Sequence, residues 1–145
     1  MDIKLENKAT FYVSGYAIET SEATLEKDCA MLREKYQDKL RAISDHLYFI
    51  AWMTKDNIMV YHFGVETTSL TPATEGATCI EVPAKRFAVA TVPEGAPVLA
   101  TWYKFFEVFE TGIPPLGVSI DLDYSFHLES FAENGVCTLW IPAKE

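Results

Sequence analysis

Hydrophobic and polar positions change period along this chain, and each change marks an element. From Phe11 to Glu19 the run FYVSGYAIE is rich in aromatic and β-branched residues, which predicts a strand. Leu25, Cys29, Leu32, Tyr36, Leu40 and Ile43 then recur at steps of three and four, one face of an α-helix, with Thr20 or Ser21 placed to cap its start. Glu26, Lys27, Glu34, Lys35 and Asp38 fill the solvent side. The apolar runs LYFIAWMT and IMVYHFGVET follow, separated by Lys55, Asp56 and Asn57, a hairpin signal.

After a connector rich in Thr, Pro and Gly from Thr67 to Thr78, CIEVPAKRFAVATV predicts one strand bent at Pro83. Pro97 then stands where the first turn of a helix tolerates it. Val98, Trp102, Phe105, Phe106 and Phe109 share a helical face that is expected to end at Gly112. YSFHLESF and GVCTLWIP close the chain as a second hairpin around Glu133, Asn134 and Gly135.

Strand, helix and hairpin thus occur in that order twice, over about residues 10–66 and 79–142. One domain spanning residues 1–145 is expected, of α+β class. Its duplicated β-α-β-β units would pair into an antiparallel sheet carrying both helices on one face.

Alternation within strands sorts the side chains into faces. His127, Glu129 and Phe131 share one face of their strand. Cys137, Leu139 and Ile141 form an apolar face of the next, with Trp140 pointing the other way. If the helices cover the apolar face, Glu129 and Trp140 look out together on the opposite side. In the first hairpin Met59, Tyr61, Phe63 and Val65 oppose Val60 and His62, and both faces are apolar. Something covers the second face, or it is the wall of a cleft. An aromatic groove holding one carboxylate suits a cationic or polar-headed aromatic ligand, through stacking, cation–π attraction and charge neutralisation.

Composition narrows the classes. The chain has 145 residues, 49% of them hydrophobic and 13% aromatic, enough for a core without disulfide or metal staples. Its net charge of -9, with no long Lys/Arg cluster, argues against direct nucleic-acid binding. Cys29, Cys79 and Cys137 form no C-x-x-C pair, and His46, His62 and His127 fall in separate elements, so neither a metal site nor a cofactor is expected. There is no dinucleotide fingerprint, P-loop or nucleophile elbow. No apolar run is long enough to span a bilayer and no cleavable leader is visible, so a cytoplasmic location is expected.

VPAKRFAVATV, the helix with Trp102, HLESF and the closing TLWIP resemble the GyrI-like effector-binding domain, found also in multidrug-responsive transcription activators of the AraC and MerR classes. VYHFGV matches the family's first half at Tyr61, Gly64 and Val65. The resemblance covers about Phe11 to Pro142. It implies a ligand cleft between the halves, with Glu129 as the acidic residue that meets lipophilic cations and Tyr61, Trp102 and Phe131 as aromatic walls. Phe63, His127 and Trp140 complete the expected ligand site. Leu128 and Phe131 depart from the family's usual Phe and Tyr, and Lys85 from its usual Gly. No DNA-binding helices precede the domain, so a stand-alone form is expected.

The resemblance also implies an alternative, hydrolysis of electrophilic toxins with Glu129 as base or nucleophile and Tyr61 assisting. A third reading is a protein partner, either a transcription regulator or DNA gyrase. Binding is the expectation, and catalysis the alternative to it.

Overall fold

The computed structural model describes residues 2–110 and 121–144. Strands β1 (Lys4–Lys8) and β2 (Phe11–Thr20) precede helix α1 (Leu25–Arg41). Then come β3 (Leu47–Met53), β4 (Met59–Thr67), β5 (Thr78–Val82) and β6 (Lys85–Thr91). Helix α2 (Val98–Glu110), β7 (Phe126–Phe131) and β8 (Cys137–Pro142) complete the fold. All strands pair antiparallel in one sheet of order β1-β6-β8-β7-β3-β4-β2-β5. The α+β class and the twice-used β-α-β-β order are those expected. The expected end of α2 at Gly112 lies outside the described residues.

Local chemistry sets the element ends. Thr24, not Thr20 or Ser21, holds the N-cap position of α1, and the hydroxyls of Thr20 and Thr24 both donate to Asp28 Oδ2, at 2.6 and 2.8 Å. Asn57 turns the first hairpin with φ 61° and Gly135 the second with φ 83°, values that these residue types adopt most cheaply. The carbonyl of Pro97 accepts the N–H of Thr101, the first bond of α2.

Two strands differ from expectation. β1 is polar apart from Leu5, which packs against the core, and as an edge strand paired with β6 it needs no more apolar surface. The stretch read as one strand bent at Pro83 is two, β5 and β6, which pair at opposite ends of the sheet. Pro83, which has no N–H to give a ladder, stands at the break.

This break shapes the molecule. β1 and β2, and likewise β5 and β6, are separated by six strand spacings in the sheet order, about 29 Å if the sheet were flat. Yet each pair is joined by a link of two residues, 9–10 and 83–84, which reaches only about 11 Å. The sheet must therefore curl until its ends meet. At the meeting line the backbone N–H of Ala84 donates to Thr10 Oγ1 at 3.0 Å, and Lys8 Nζ pairs with Glu66 at 3.2 Å.

The curl explains why both faces of the central strands are apolar. On one face Phe11, Val13, Tyr48, Ile50, Val82, Phe87, Val89 and Leu128 form a core within the curl, flanked by Trp52, Phe126 and Trp140. On the other, Phe49, Tyr61, Phe63, Phe131, Leu139 and Ile141 pack with Leu32 and Leu40 of α1 and Trp102 and Phe105 of α2. His62 belongs to the inner side, fully buried, with Nε2 at 3.2 Å from the carbonyl oxygen of Val13. Burial lowers its pKa to about 4, so it is neutral at neutral pH.

Gly15 and Gly64 face each other in the β2–β4 register. A β-carbon on Gly64 would lie 2.4 Å from the carbonyl oxygen of Ser14, and one on Gly15 would collide with that of Phe63. Gly64→Ala is expected to cost about 1–3 kcal/mol as the backbones are forced apart. Urea unfolding measures this, and wild-type stability would show that the strands separate freely.

Candidate functional site

Cross-strand partners share a face in an antiparallel sheet. Glu129 stands opposite Phe49 on β3 and Leu139 on β8, so it lies on the helix-covered face. The expectation that Glu129 and Trp140 look out together on the other side is therefore corrected. Alternation identifies neighbours within one strand, but only the register tells which faces of adjacent strands coincide. Trp140 lies on the inner side of the curl, its Nε1 donating to Ser130 Oγ at 2.9 Å and its ring edge-on to Phe87.

Between the two helices, over the central strands, is a cavity of about 510 Å3. Leu25, Cys29 and Arg33 of α1 form one wall, Val98 and Trp102 of α2 the other, and Phe49, Tyr61 and Glu129 the floor. Trp102 Nε1 donates to Glu129 Oε1 at 2.7 Å. His127 lies edge-on to Trp102 and to Tyr61, with ring centres 4.7 and 6.3 Å away.

A second cavity of about 770 Å3 adjoins the first, sharing Arg33, Gln37 and Val98 with it, and Phe63, Phe131 and Arg41 line it. A larger space of about 850 Å3 lies along β1, β6, β8 and α2. Its charged groups are Asp2, Lys4, Glu6 and Lys104, and it contains Trp140 but no other expected site residue. The buried carboxylate makes the smaller central cavity the candidate.

The sequence-predicted residues thus divide. Glu129, Tyr61 and Trp102 line one cavity, His127 sits against two of them, Phe131 and Phe63 line the adjoining space, and Trp140 is on the opposite face. Arg33, Cys29 and Phe49 were not foreseen. Arg33 follows Leu25 and Cys29 at successive steps of four, the one signal that could have placed it on the same helical stripe. Phe49 becomes visible once β3 is set in register with β7.

The environment divides the charges. Glu129 is enclosed by protein except toward the cavity, and this burial raises its pKa. The Trp102 hydrogen bond and the charge of Arg33 oppose the rise without cancelling it. Tyr61 is raised by burial and by the nearby Glu129 charge, so its hydroxyl keeps its proton. Burial pushes the Cys29 thiol up to about 12, with Glu129 adding to the effect, so it is a neutral part of the wall at neutral pH. His127 is lowered to about 4 by burial and is neutral as well.

A carboxyl whose pKa rises on folding stabilises the fold below its unfolded pKa, and that contribution is lost as pH rises through the folded value. Glu129→Gln is therefore expected to raise Tm at neutral pH, with the gain shrinking in mild acid. The two lowered histidines titrate alike in both proteins, so the difference isolates Glu129. A lower Tm for the variant at neutral pH would contradict the assignment.

No curated protein matches the chain in sequence. Among solved structures, SAV2435 bound to tetraphenylphosphonium is 16% identical with a TM-score of 0.70, over 99% of this chain and 94% of that one. An integron cassette protein from Vibrio cholerae is 13% identical with a TM-score of 0.72, over 98% and 95%. The EcmrR C-terminal domain is 10% identical with a TM-score of 0.66, over 99% and 98%. At these identities the likeness establishes the shared fold. Residues 4–143 match the Cass2 family, described as integron-associated effector binding protein. The chain therefore belongs to the Cass2 family of integron-associated effector-binding proteins, with the GyrI-like fold that its motifs resemble.

Proposed function

We propose that this protein binds amphipathic aromatic cations in the cavity between α1 and α2, with Glu129 as the counter-charge and Tyr61, Trp102 and Phe49 as aromatic walls. The observation that carries the reading is the enclosed carboxylate fixed by Trp102 Nε1 at 2.7 Å and facing an aromatic cavity. A desolvated carboxylate attracts a cation far more strongly than one in water, and rings around it favour a cation whose charge is spread over apolar groups. The likeness to SAV2435, solved with tetraphenylphosphonium, supports the same ligand class.

Hydrolysis has less support. Tyr61 holds its proton tightly, and the hydrogen bond to Glu129 comes from Trp102 and not from Tyr61.

Tetraphenylphosphonium should quench tryptophan fluorescence saturably with a Kd in the micromolar range, about -8 kcal/mol. Glu129→Gln should weaken it by at least about tenfold, while a neutral analogue such as triphenylphosphine oxide binds both proteins alike. Equal affinity of the two proteins for the cation would refute the electrostatic part.

Affinity should also follow pH. As pH falls through the raised pKa of Glu129, the carboxyl gains a proton and loses its attraction, so cation binding weakens in mild acid. Calorimetry across this range should find a steeper loss for the wild type than for Glu129→Gln. Parallel pH profiles would remove Glu129 from the site.

A further inference from the structure

Arg33 occupies an unusual position beside the carboxylate. Its guanidinium lies over Phe131 at 4.4 Å and over Phe49 at 5.4 Å from the ring centres. It lines both the cavity that contains Glu129 and the adjoining one. Among the described residues it forms no ion pair within 4 Å, although its charge acts on Glu129. Arg33 thus sits where a lipophilic cation would sit, against aromatic rings and within the field of the acid.

A monocation entering this site meets a carboxylate already partly neutralised and a like charge at its side. A ligand that brings its own anion meets no such conflict. Its cationic part can face Glu129 while its acid faces Arg33, and the second cavity offers that acid room. Gln37 and Arg41 follow Arg33 at steps of four along α1, and all three line that cavity. Leu47, Phe63 and Phe131 give it an apolar floor. Among the described residues its one carboxylate, Glu94, is exposed.

We infer that Arg33 sets the charge class of the ligand: the paired cavities select a dipolar aromatic molecule, cationic at the Glu129 end and carrying a carboxylate or similar acid at the Arg33 end, over a simple monocation. This rests on the proposed ligand site and narrows its substrate class. Arg33 acts in two ways, repelling cations that lack an anion and binding the anion of those that have one. Arg41, two helical turns further along, extends the positive stripe.

Rhodamine B, a xanthene cation with a free carboxylate, and its ethyl ester differ in little but the acid. Their Kd values, read by fluorescence anisotropy on wild type, Arg33→Met and Arg33→Lys, test the inference, with tetraphenylphosphonium titrated in parallel. Wild type should prefer the acid by roughly tenfold, the scale of one desolvated charge pair. Arg33→Met should lose that preference and bind the ester and tetraphenylphosphonium more tightly than wild type does, whereas Arg33→Lys should retain the wild-type order. Circular dichroism and Tm confirm that both variants fold.

An acid-to-ester ratio unchanged in Arg33→Met, or a wild type that prefers the ester, overturns the role of Arg33 while tetraphenylphosphonium binding upholds the site. Failure of the wild type and of Arg33→Met to bind any of the three compounds overturns both.

Discussion

Two links of two residues each govern this structure. Lys8 pairs with Lys85 and Phe11 with Val82, so the links from Lys8 to Phe11 and from Val82 to Lys85 run side by side and join opposite ends of the sheet. A flat sheet cannot satisfy them. Once it curls, its inner face is covered by its own strands and needs no further layer, which frees α1 and α2 to sit together on the other face. Among the described residues two helices, and not a continuous layer, cover that face, and the cavity lies between them. Lys8 reinforces the join by lying over Phe11 at 4.4 Å while it pairs with Glu66, and Glu66 also accepts a hydrogen bond from Tyr48 at 3.3 Å.

The same arrangement explains how a glutamate survives in a strand between buried residues. Leu128 and Ser130 point into the curl, Leu128 into the apolar core there and Ser130 toward the Nε1 of Trp140. Glu129 points the other way, where the gap between the helices gives it an opening and Trp102 gives it a donor. Its burial as a charge costs stability, which the Trp102 hydrogen bond and the charge of Arg33 offset in part. His127, Tyr61 and Cys29 around it are all held neutral, so Glu129 and Arg33 dominate the field inside. Glu26 and Glu34 add exposed negative charge at the rim.

Much of this was legible in the residues, and the failures share a cause. The helix periods of Leu25 to Leu40 and Val98 to Phe109, and the turns at Asn57 and Gly135, are local signals, and the elements follow them. The motifs around Glu129, Tyr61 and Trp102 single these residues out, and the fold brings the three to one cavity. The face of Glu129 was misjudged because strand alternation is relative, and the absolute face depends on register with β3 and β8. β1 escapes such a reading because Leu5 is the single apolar residue in its run of Lys, Glu and Asn, too little for an alternation. The division at Pro83 was half seen: the proline marked a bend, but nothing local reveals that the strands beside it serve opposite ends of the sheet. Arg33 stays hidden because a charged residue on an amphipathic helix reads as solvated, and only the sheet register places the Phe49 and Phe131 rings beneath it.

If Glu129 is a carboxylate held at an energetic cost until a cation arrives, its pKa falls when the cation binds. The direct measurement is a carbon-13 carboxyl NMR titration of Glu129, free and saturated with tetraphenylphosphonium. The free protein should give a pKa above the ordinary glutamate range, and saturation should lower it markedly. An ordinary value in the free protein, or the same value with and without ligand, would contradict it.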